Sequence, residues 1–158
     1  MIFGKKKKLI KNCALYISDK HNHLIVAPRI ENKDGLNMEQ ENSKGFDLPI
    51  SEEDLGQEII NAMNLYKFVN IGLEGKKISD WPAYKASKSK SMKAFENDYV
   101  YIGISNQNDG NLIMDIEGKP NQNSLYWVKS SISFYADKSE IGKQILETFK
   151  ICKTGQLI

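Results

Sequence analysis

The sequence predicts a single α+β domain, an antiparallel sheet of about five to six strands covered by three main helices. Alternating apolar and polar residues recur in short runs separated by turn-forming residues, which is typical of antiparallel strands. Segments with helical spacing follow these runs in the middle and near the end of the chain. The 158 residues are the length of one domain, so we expect one unit over residues 1–158.

The first predicted elements are two strands, Cys13 to Ser18 and Leu24 to Ile30, joined by a polar hairpin turn. Residues 31–45 show no periodicity and few apolar groups, and we interpret them as a long acidic loop. Phe46 to Ile50 is a candidate short strand. Ser51 then provides a side-chain cap for an amphipathic helix.

The second part of the chain repeats the order of strands followed by a helix. A helix is predicted from Pro82 to about Asn97, since proline suits the first turn of a helix. Tyr99 to Ser105, a run centred on Met114 and the run from Leu125 to Tyr135 predict an antiparallel meander. A final helix begins at Lys138 and has an apolar stripe on one side.

The two amphipathic helices share a weak internal repeat. SEEDLGQEIINAM at 51–63 aligns with DKSEIGKQILETF at 137–149 at a constant offset. Two strand-then-helix halves around a shared sheet would explain the repeat, and so would two ordinary well-capped helices. Gly56 and Gly142 occupy matching positions, where glycine costs about 1 kcal/mol relative to alanine. We therefore expect close backbone packing at both glycines.

Charge is distributed in blocks, although the net charge is only +2. Residues 1–30 carry a net charge of +6, and residues 31–60 carry nine acidic side chains against two lysines. An anionic patch in the second block would attract a cationic protein and speed its association. The alternative is an ordinary solvated loop. The candidate binding residues are Glu31, Asp34, Glu39, Glu41, Asp47, Glu52, Glu53 and Asp54.

No arrangement in the sequence is typical of an enzyme, and we predict no catalytic residue, cofactor, metal site or small-molecule substrate. His21 and His23 lack a neighbouring acid or thiol that would complete a metal site, so we interpret them as solvated turn residues. Asp115 and Glu117 share one face of a predicted strand, and a solvated strand edge is the simpler explanation for them than acid–base catalysis.

The predicted location is the cytoplasm. No apolar run approaches the 18 residues of a membrane-spanning helix, so we expect no membrane association. The lysines at 5–8 precede only a short apolar stretch, which is unlike a secretory signal.

Four segments together resemble the immunity proteins of contact-dependent growth inhibition systems. The most specific of them is the tryptophan-proline step and the lysine- and serine-rich stretch after it. The segments are DLGQEI at 54–59, DWPAYKASKSKSMKAFE at 80–96, NLIMDIEGKP at 111–120 and SEIGKQIL at 139–146. The resemblance covers the chain from about residue 54 to its end, and the first 45 residues carry little of it.

This resemblance implies that the chain neutralises a toxin by stoichiometric binding. The partner would be the C-terminal toxin domain of a large surface protein delivered by a neighbouring cell. Many such toxins are nucleases, and some are ribonucleases with an RNase A-like fold. The acidic residues of 31–54 are then candidates for contacts with a cationic toxin.

A nucleic-acid-binding module using residues 81–95 is the alternative function, because lysines are interleaved there with aromatic residues. Trp81, Tyr84, Lys85 and Lys88 are its main residues, and they are also secondary candidates for binding a protein. Arginine is the preferred reader of phosphates and bases, and Arg29 is the sole arginine. Direct contact with nucleic acid is therefore not our expectation.

Overall fold

The computed structural model describes residues 10–77, 80–108, 113–121, 126–133 and 135–155. It confirms the α+β class and the antiparallel sheet. The elements are β1 (Asn12–Ser18), β2 (His23–Glu31), β3 (Asn37–Glu39), β4 (Lys44–Asp47), α1 (Glu52–Asn64), β5 (Lys67–Phe68), α2 (Pro82–Ala86), α3 (Met92–Asp98), β6 (Val100–Asn108), β7 (Ile113–Lys119), β8 (Val128–Ser133) and α4 (Lys138–Thr154). The lysines at 5–8 lie outside the described residues.

One sheet contains all the described strands. Its main order is β3-β2-β1-β6-β7-β8, and β4 and β5 also pair with β2. Every pairing is antiparallel except that of β5 with β2. The strands β1, β2 and β4 form an antiparallel meander that leads into α1, and β6, β7 and β8 form a second one that leads into α4. The internal repeat thus corresponds to two strand-then-helix halves, joined where β1 pairs with β6.

The two glycines of the repeat lie where α1 and α4 cross. A Cβ atom on Gly56 would lie 1.9 Å from the carbonyl oxygen of Lys138, and one on Gly142 would lie 1.9 Å from that of Glu52. The two contacts are equivalent under the repeat, because Lys138 and Glu52 occupy matching first positions of the helices. Close backbone packing at both glycines is therefore confirmed.

The sheet has a different cover on each face. The apolar stripes of α1 and α4 pack on one face, where Leu15, Ile102 and Ile116 are fully buried. On the other face, residues of α2 and α3 cover only the half near β1 and β2, through Ala83 and Phe95. The remaining part of that face, along β6, β7 and β8, carries polar and aromatic side chains.

The interpretation of residues 31–45 as a loop is wrong, because this segment contains β3 and the start of β4. The buried side chain of Asn32 accepts hydrogen bonds from the backbone N–H groups of Asp34 and Leu36, which shapes the turn before β3. The Gln40 side chain donates to the carbonyl of Arg29 at 2.9 Å. Hydrogen bonds from polar side chains thus stabilise the structure of residues 31–45, which the pattern of apolar residues did not predict.

The predicted helix from Pro82 to Asn97 is interrupted, and α2 and α3 are separated by residues 87–91. Serine hydroxyls account for the break, since they offer the backbone bonds that compete with helical ones. Ser87 Oγ accepts from the N–H of Ser89 at 3.2 Å, and Ser91 Oγ accepts from that of Ala94 at 3.1 Å and starts α3.

Two predicted strands have different bounds in the structure. The strand expected at Phe46 to Ile50 is β4 and ends at Asp47, before a cis peptide bond at Leu48–Pro49. The long strand expected from Leu125 to Tyr135 is β8, and its expected residues 125 and 134 lie outside the described part of the chain. None of the helices in the described ranges combines the length and apolar character needed to cross a bilayer.

Candidate functional site

The exposed acidic candidates follow the chain from the turn before β4, through the end of β4, to the first turn of α1. This surface, the acidic edge, consists of Glu41, Asp47, Glu52, Glu53 and Asp54. Ser51 Oγ accepts a hydrogen bond from the backbone N–H of Asp54 at 3.0 Å, so the last three acids occupy the first helical turn. Acids are favoured there by the partial positive charge of a helix N-terminus. Local structure therefore explains part of the cluster without a partner.

Lysines of the same chain compensate much of this charge. The pairs are Lys85 with Glu41 at 3.7 Å, Lys88 with Asp47 at 2.6 Å and Lys138 with Glu53 at 3.2 Å. Two of these lysines belong to the secondary set of candidates, so the two predicted sets meet in one mixed-charge surface. Exposed ion pairs contribute about 0–1 kcal/mol, so a partner can replace them at small cost.

The other acidic candidates lie apart from the acidic edge. Glu31 is 9% exposed at the end of β2, and Asp34 lies in the turn that follows. Asp47 in β4 pairs with the beginning of β2, whereas Glu31 and Asp34 lie at or beyond its end. The length of β2, roughly 25 Å at 3.3 Å per residue, therefore separates these two acids from Asp47. The eight predicted residues therefore do not form one patch.

Glu39 has an internal role. Its Oε1 accepts a hydrogen bond from the hydroxyl of Tyr16 at 2.5 Å, and its Oε2 accepts one from the backbone N–H of Ala83 at 3.0 Å. Ala83 lies in the first turn of α2, and Trp81, the N-cap residue, makes no side-chain capping bond. Glu39 therefore caps α2 from a distant strand and fixes this helix to the sheet.

Trp81 and Tyr84 differ in their surroundings. The Trp81 side chain is 39% exposed beside the start of α2. The ring of Tyr84 packs edge-on against Phe95 with 6.0 Å between centroids. Trp81 is thus the more accessible of the two for a partner.

Arg29 is a candidate that the sequence analysis missed, although its status as the sole arginine was a signal. Its Nη1 donates to the hydroxyl of Tyr101 at 3.0 Å, and its guanidinium carbon lies 5.4 Å from the centre of that ring. Its Nε is buried with no hydrogen-bond partner among the described residues. Burial acts to lower the pKa of Arg29, but Tyr101, Tyr16 and Glu39 outweigh it, and the pKa is raised.

Arg29 borders three cavities, with volumes of about 540, 420 and 300 Å³. We call the second the aromatic cavity. Its principal lining residues are Tyr16, Phe95, Tyr99, Tyr101, Trp81 and Lys119. The first three rings form a continuous cluster, since the centroid of Phe95 lies 5.1 Å from those of both Tyr16 and Tyr99.

The 540 Å³ cavity lies along the uncovered part of the sheet and has a different charge. Arg29 and Lys129 border it together with Glu31, Asp115 and Glu117. Separate donors hold the latter two carboxylates: Ser131 Oγ donates to Asp115, and Trp127 Nε1 donates to Glu117, each at 2.8 Å. These hydrogen bonds fix the positions of the two carboxylates on the sheet. The cavity is bordered by three acids and two cations, so acidic side chains are in excess there.

The two histidines make internal contacts. His21 Nε2 lies 2.9 Å from a carboxylate oxygen of Asp98, whose pKa is lowered mainly by its hydrogen bond from Lys20. His23 is 6% exposed and its Nδ1 lies 2.9 Å from the hydroxyl of Tyr99, so its interpretation as a solvated turn residue is wrong. Within the described ranges, no group of histidine, cysteine or acidic side chains could hold a metal ion.

Comparison with known proteins shows the fold. The sequence matches no protein-family model and no curated protein. The structure is similar to that of a protein of unknown function from Neisseria meningitidis, with a TM-score of 0.70, 14% identity and coverage of 95% of this chain and 99% of that chain. It is also similar to a chain of the CdiA-CT/CdiI toxin and immunity complex from Yersinia pseudotuberculosis, with a TM-score of 0.65, 12% identity and coverage of 92% and 99%.

Proposed function

We propose that this chain is an immunity protein that neutralises a contact-dependent growth inhibition toxin by binding its C-terminal domain. The observation that carries the proposal is the fold shared with a chain of a toxin–immunity complex over almost the whole of both chains. The sequence segments that resemble the immunity family support it independently.

The proposed target is a nuclease, such as a ribonuclease with an RNase A-like fold. A nuclease cleft is cationic because it must hold phosphates, and carboxylates can occupy such a cleft without being cleaved. The acidic edge has the charge for this role, and its exposed ion pairs cost little to exchange. A tight complex would bury about 1,600 Å² in total.

Co-expression with the toxin domain encoded immediately upstream of this gene tests the function. We expect growth to be restored and the two proteins to co-purify in equal amounts. A toxin domain of a different activity serves as the control and should remain toxic. Failure to protect cells from the adjacent toxin would refute the proposal, and so would turnover of a small substrate by the purified chain.

The acidic edge is tested by reversing charge at two positions. Glu41→Lys with Glu53→Lys should slow association with the toxin about tenfold at low salt, because opposite potentials steer encounter. The difference should shrink as salt increases, because dissolved ions screen exposed charges that are more than about 10 Å apart at 0.1 M. Stopped-flow or biosensor association rates measure this effect.

A matched control keeps the same net charge. Glu74→Lys with Glu147→Lys also removes two solvent-accessible acids, and each of these acids likewise has one lysine partner, Lys33 or Lys143. Equal association rates for the two double variants would show that the acidic edge does not guide binding. RNA binding that falls steeply with salt would instead favour the alternative function of residues 81–95.

A further inference from the structure

We infer that the aromatic cavity receives an acidic side chain of the protein partner; this inference rests on the proposed immunity function and adds a second contact to it. The cavity lies between the α2–α3 segment and the β6–β7 part of the sheet, and has a volume of about 420 Å³. The contact between this side chain of the partner and the aromatic cavity would lie on the opposite side of α2 from the acidic edge.

The charge in the cavity selects an anion. Arg29 and Lys119 line it, and Glu96 is the one acid among its lining residues. Lys119 Nζ lies 5.4 Å from the ring centre of Tyr101 and 5.7 Å from that of Trp127, so this second cation lies between two aromatic side chains. The neighbouring 540 Å³ cavity has an excess of acids and would repel the same group.

Arg29 has hydrogen-bonding capacity to offer. A guanidinium has five N–H donors, and the described residues provide Arg29 with an acceptor at Tyr101 while its buried Nε has none. Arginine–carboxylate pairs are among the strongest hydrogen-bonded pairs, since both groups are charged and two bonds form in parallel. A partner's carboxylate is therefore the group that would satisfy Arg29 best.

The surroundings of the cavity favour a protein partner over a free small molecule. Trp81 and Trp127, on either side, are 39% and 64% exposed. Tryptophan, tyrosine and arginine are the residues that dominate the binding energy of protein interfaces, usually in pockets surrounded by weaker contacts. The composition of this region matches that description.

The two surfaces together define the partner. The α2–α3 segment presents Lys85 and Lys88 toward the acidic edge, and Trp81 and Phe95 toward the aromatic cavity. A partner that lays a cationic cleft on the acidic edge would extend over this segment. Its margin would then carry a glutamate or aspartate that enters the cavity.

Two exposed positions test the inference with the intact chain and the adjacent toxin domain. Lys119→Glu should increase the dissociation rate of the complex at least tenfold, or about 1.4 kcal/mol. Trp81→Ala should act in the same direction. The controls are Lys129→Glu, the same charge change on β8 outside the cavity, and Tyr135→Ala, an exposed aromatic residue before α4. They should change the rate less than threefold.

A second measurement uses the free chain. Phenylacetate should shift NMR signals of residues around the cavity, and phenethylamine, of similar shape but positive charge, should not.

Binding of toxin with equal dissociation rates for test and control variants would overturn the inference and leave the immunity function standing. If the wild-type chain binds no toxin, the immunity function fails. In that case, absence of a phenylacetate shift overturns the cavity assignment, and a shift abolished by Lys119→Glu supports an anion site there. Salt-sensitive RNA binding lost in Lys119→Glu would overturn the choice of a protein partner.

Discussion

Replacing Gly142 by alanine is expected to lower the free energy of unfolding by about 2 kcal/mol. The new Cβ would lie 1.9 Å from the carbonyl oxygen of Glu52, and a backbone atom cannot move away as a flexible side chain can. Overpacking costs about 1–3 kcal/mol, and contact with backbone places this site at the upper end of the range. The preference of helices for alanine returns about 1 kcal/mol. Urea denaturation measures the difference.

The internal repeat leads us to expect the same effect at the second glycine of the α1–α4 crossing. Gly56→Ala should cost as much as Gly142→Ala, because its Cβ would meet the carbonyl oxygen of Lys138 at the same distance. The double variant should cost less than the sum, since helices already separated by one methyl group have room for the other. Lys143→Ala is the control, as its side chain is exposed. Additive losses, or a loss no larger than the control's, would contradict a shared crossing.

The glycine pair shows why part of the fold was predictable from sequence. Local signals specified the well-formed elements: alternation in β6, helical spacing in α1 and α4, and the caps at Ser51 and Asp137. The matching glycines also had a cost in helix propensity that only close packing could offset. The periodicity with its caps and the glycine positions can each be read from a short stretch of sequence. The general geometry of helices and strands then determines which side chains face the core and where two helices can pack closely.

The candidate site was less predictable because its contacts join residues far apart in sequence. Charge counting grouped Glu39 with the exposed acids, whereas its partners are Tyr16 and the α2 backbone. Arg29 became a candidate only when folding placed it against Tyr101, 72 residues away. Composition gives the number of charges on a segment but cannot say which of them the fold uses internally.

Glu39→Ala is expected to destabilise the chain by about 3 kcal/mol, because hydrogen bonds to a charged group contribute about 1.5–3 kcal/mol each and the half-buried Glu39 accepts two of them. The substitution leaves the N–H of Ala83 and the hydroxyl of Tyr16 without their acceptor, and it removes a negative charge near Arg29. Burial, and then Glu39 itself, raise the pKa of Tyr16, so that hydroxyl stays protonated and needs an acceptor.

Two further variants separate the causes. Glu39→Gln keeps one acceptor oxygen without the charge, and should lose about half as much stability because one of the two hydrogen bonds can remain. Glu41→Ala removes an exposed acid two residues away, paired with Lys85 at 3.7 Å, and should change stability by less than about 0.5 kcal/mol.

The region in which hydrogen exchange accelerates in Glu39→Ala distinguishes loss of the α2 cap from a general loss of stability. Because Glu39 fixes α2 to the sheet, hydrogen exchange in Glu39→Ala should accelerate first across residues 80–98. The α1–α4 crossing lies on the opposite face and should keep its protection until global unfolding. Uniform acceleration in both regions, or stability equal to that of Glu41→Ala, would show that the carboxylate of Glu39 does not hold α2. If the chain binds a toxin as proposed, selective loosening would also weaken the proposed contact at the aromatic cavity, since Trp81 and Phe95 belong to the segment released.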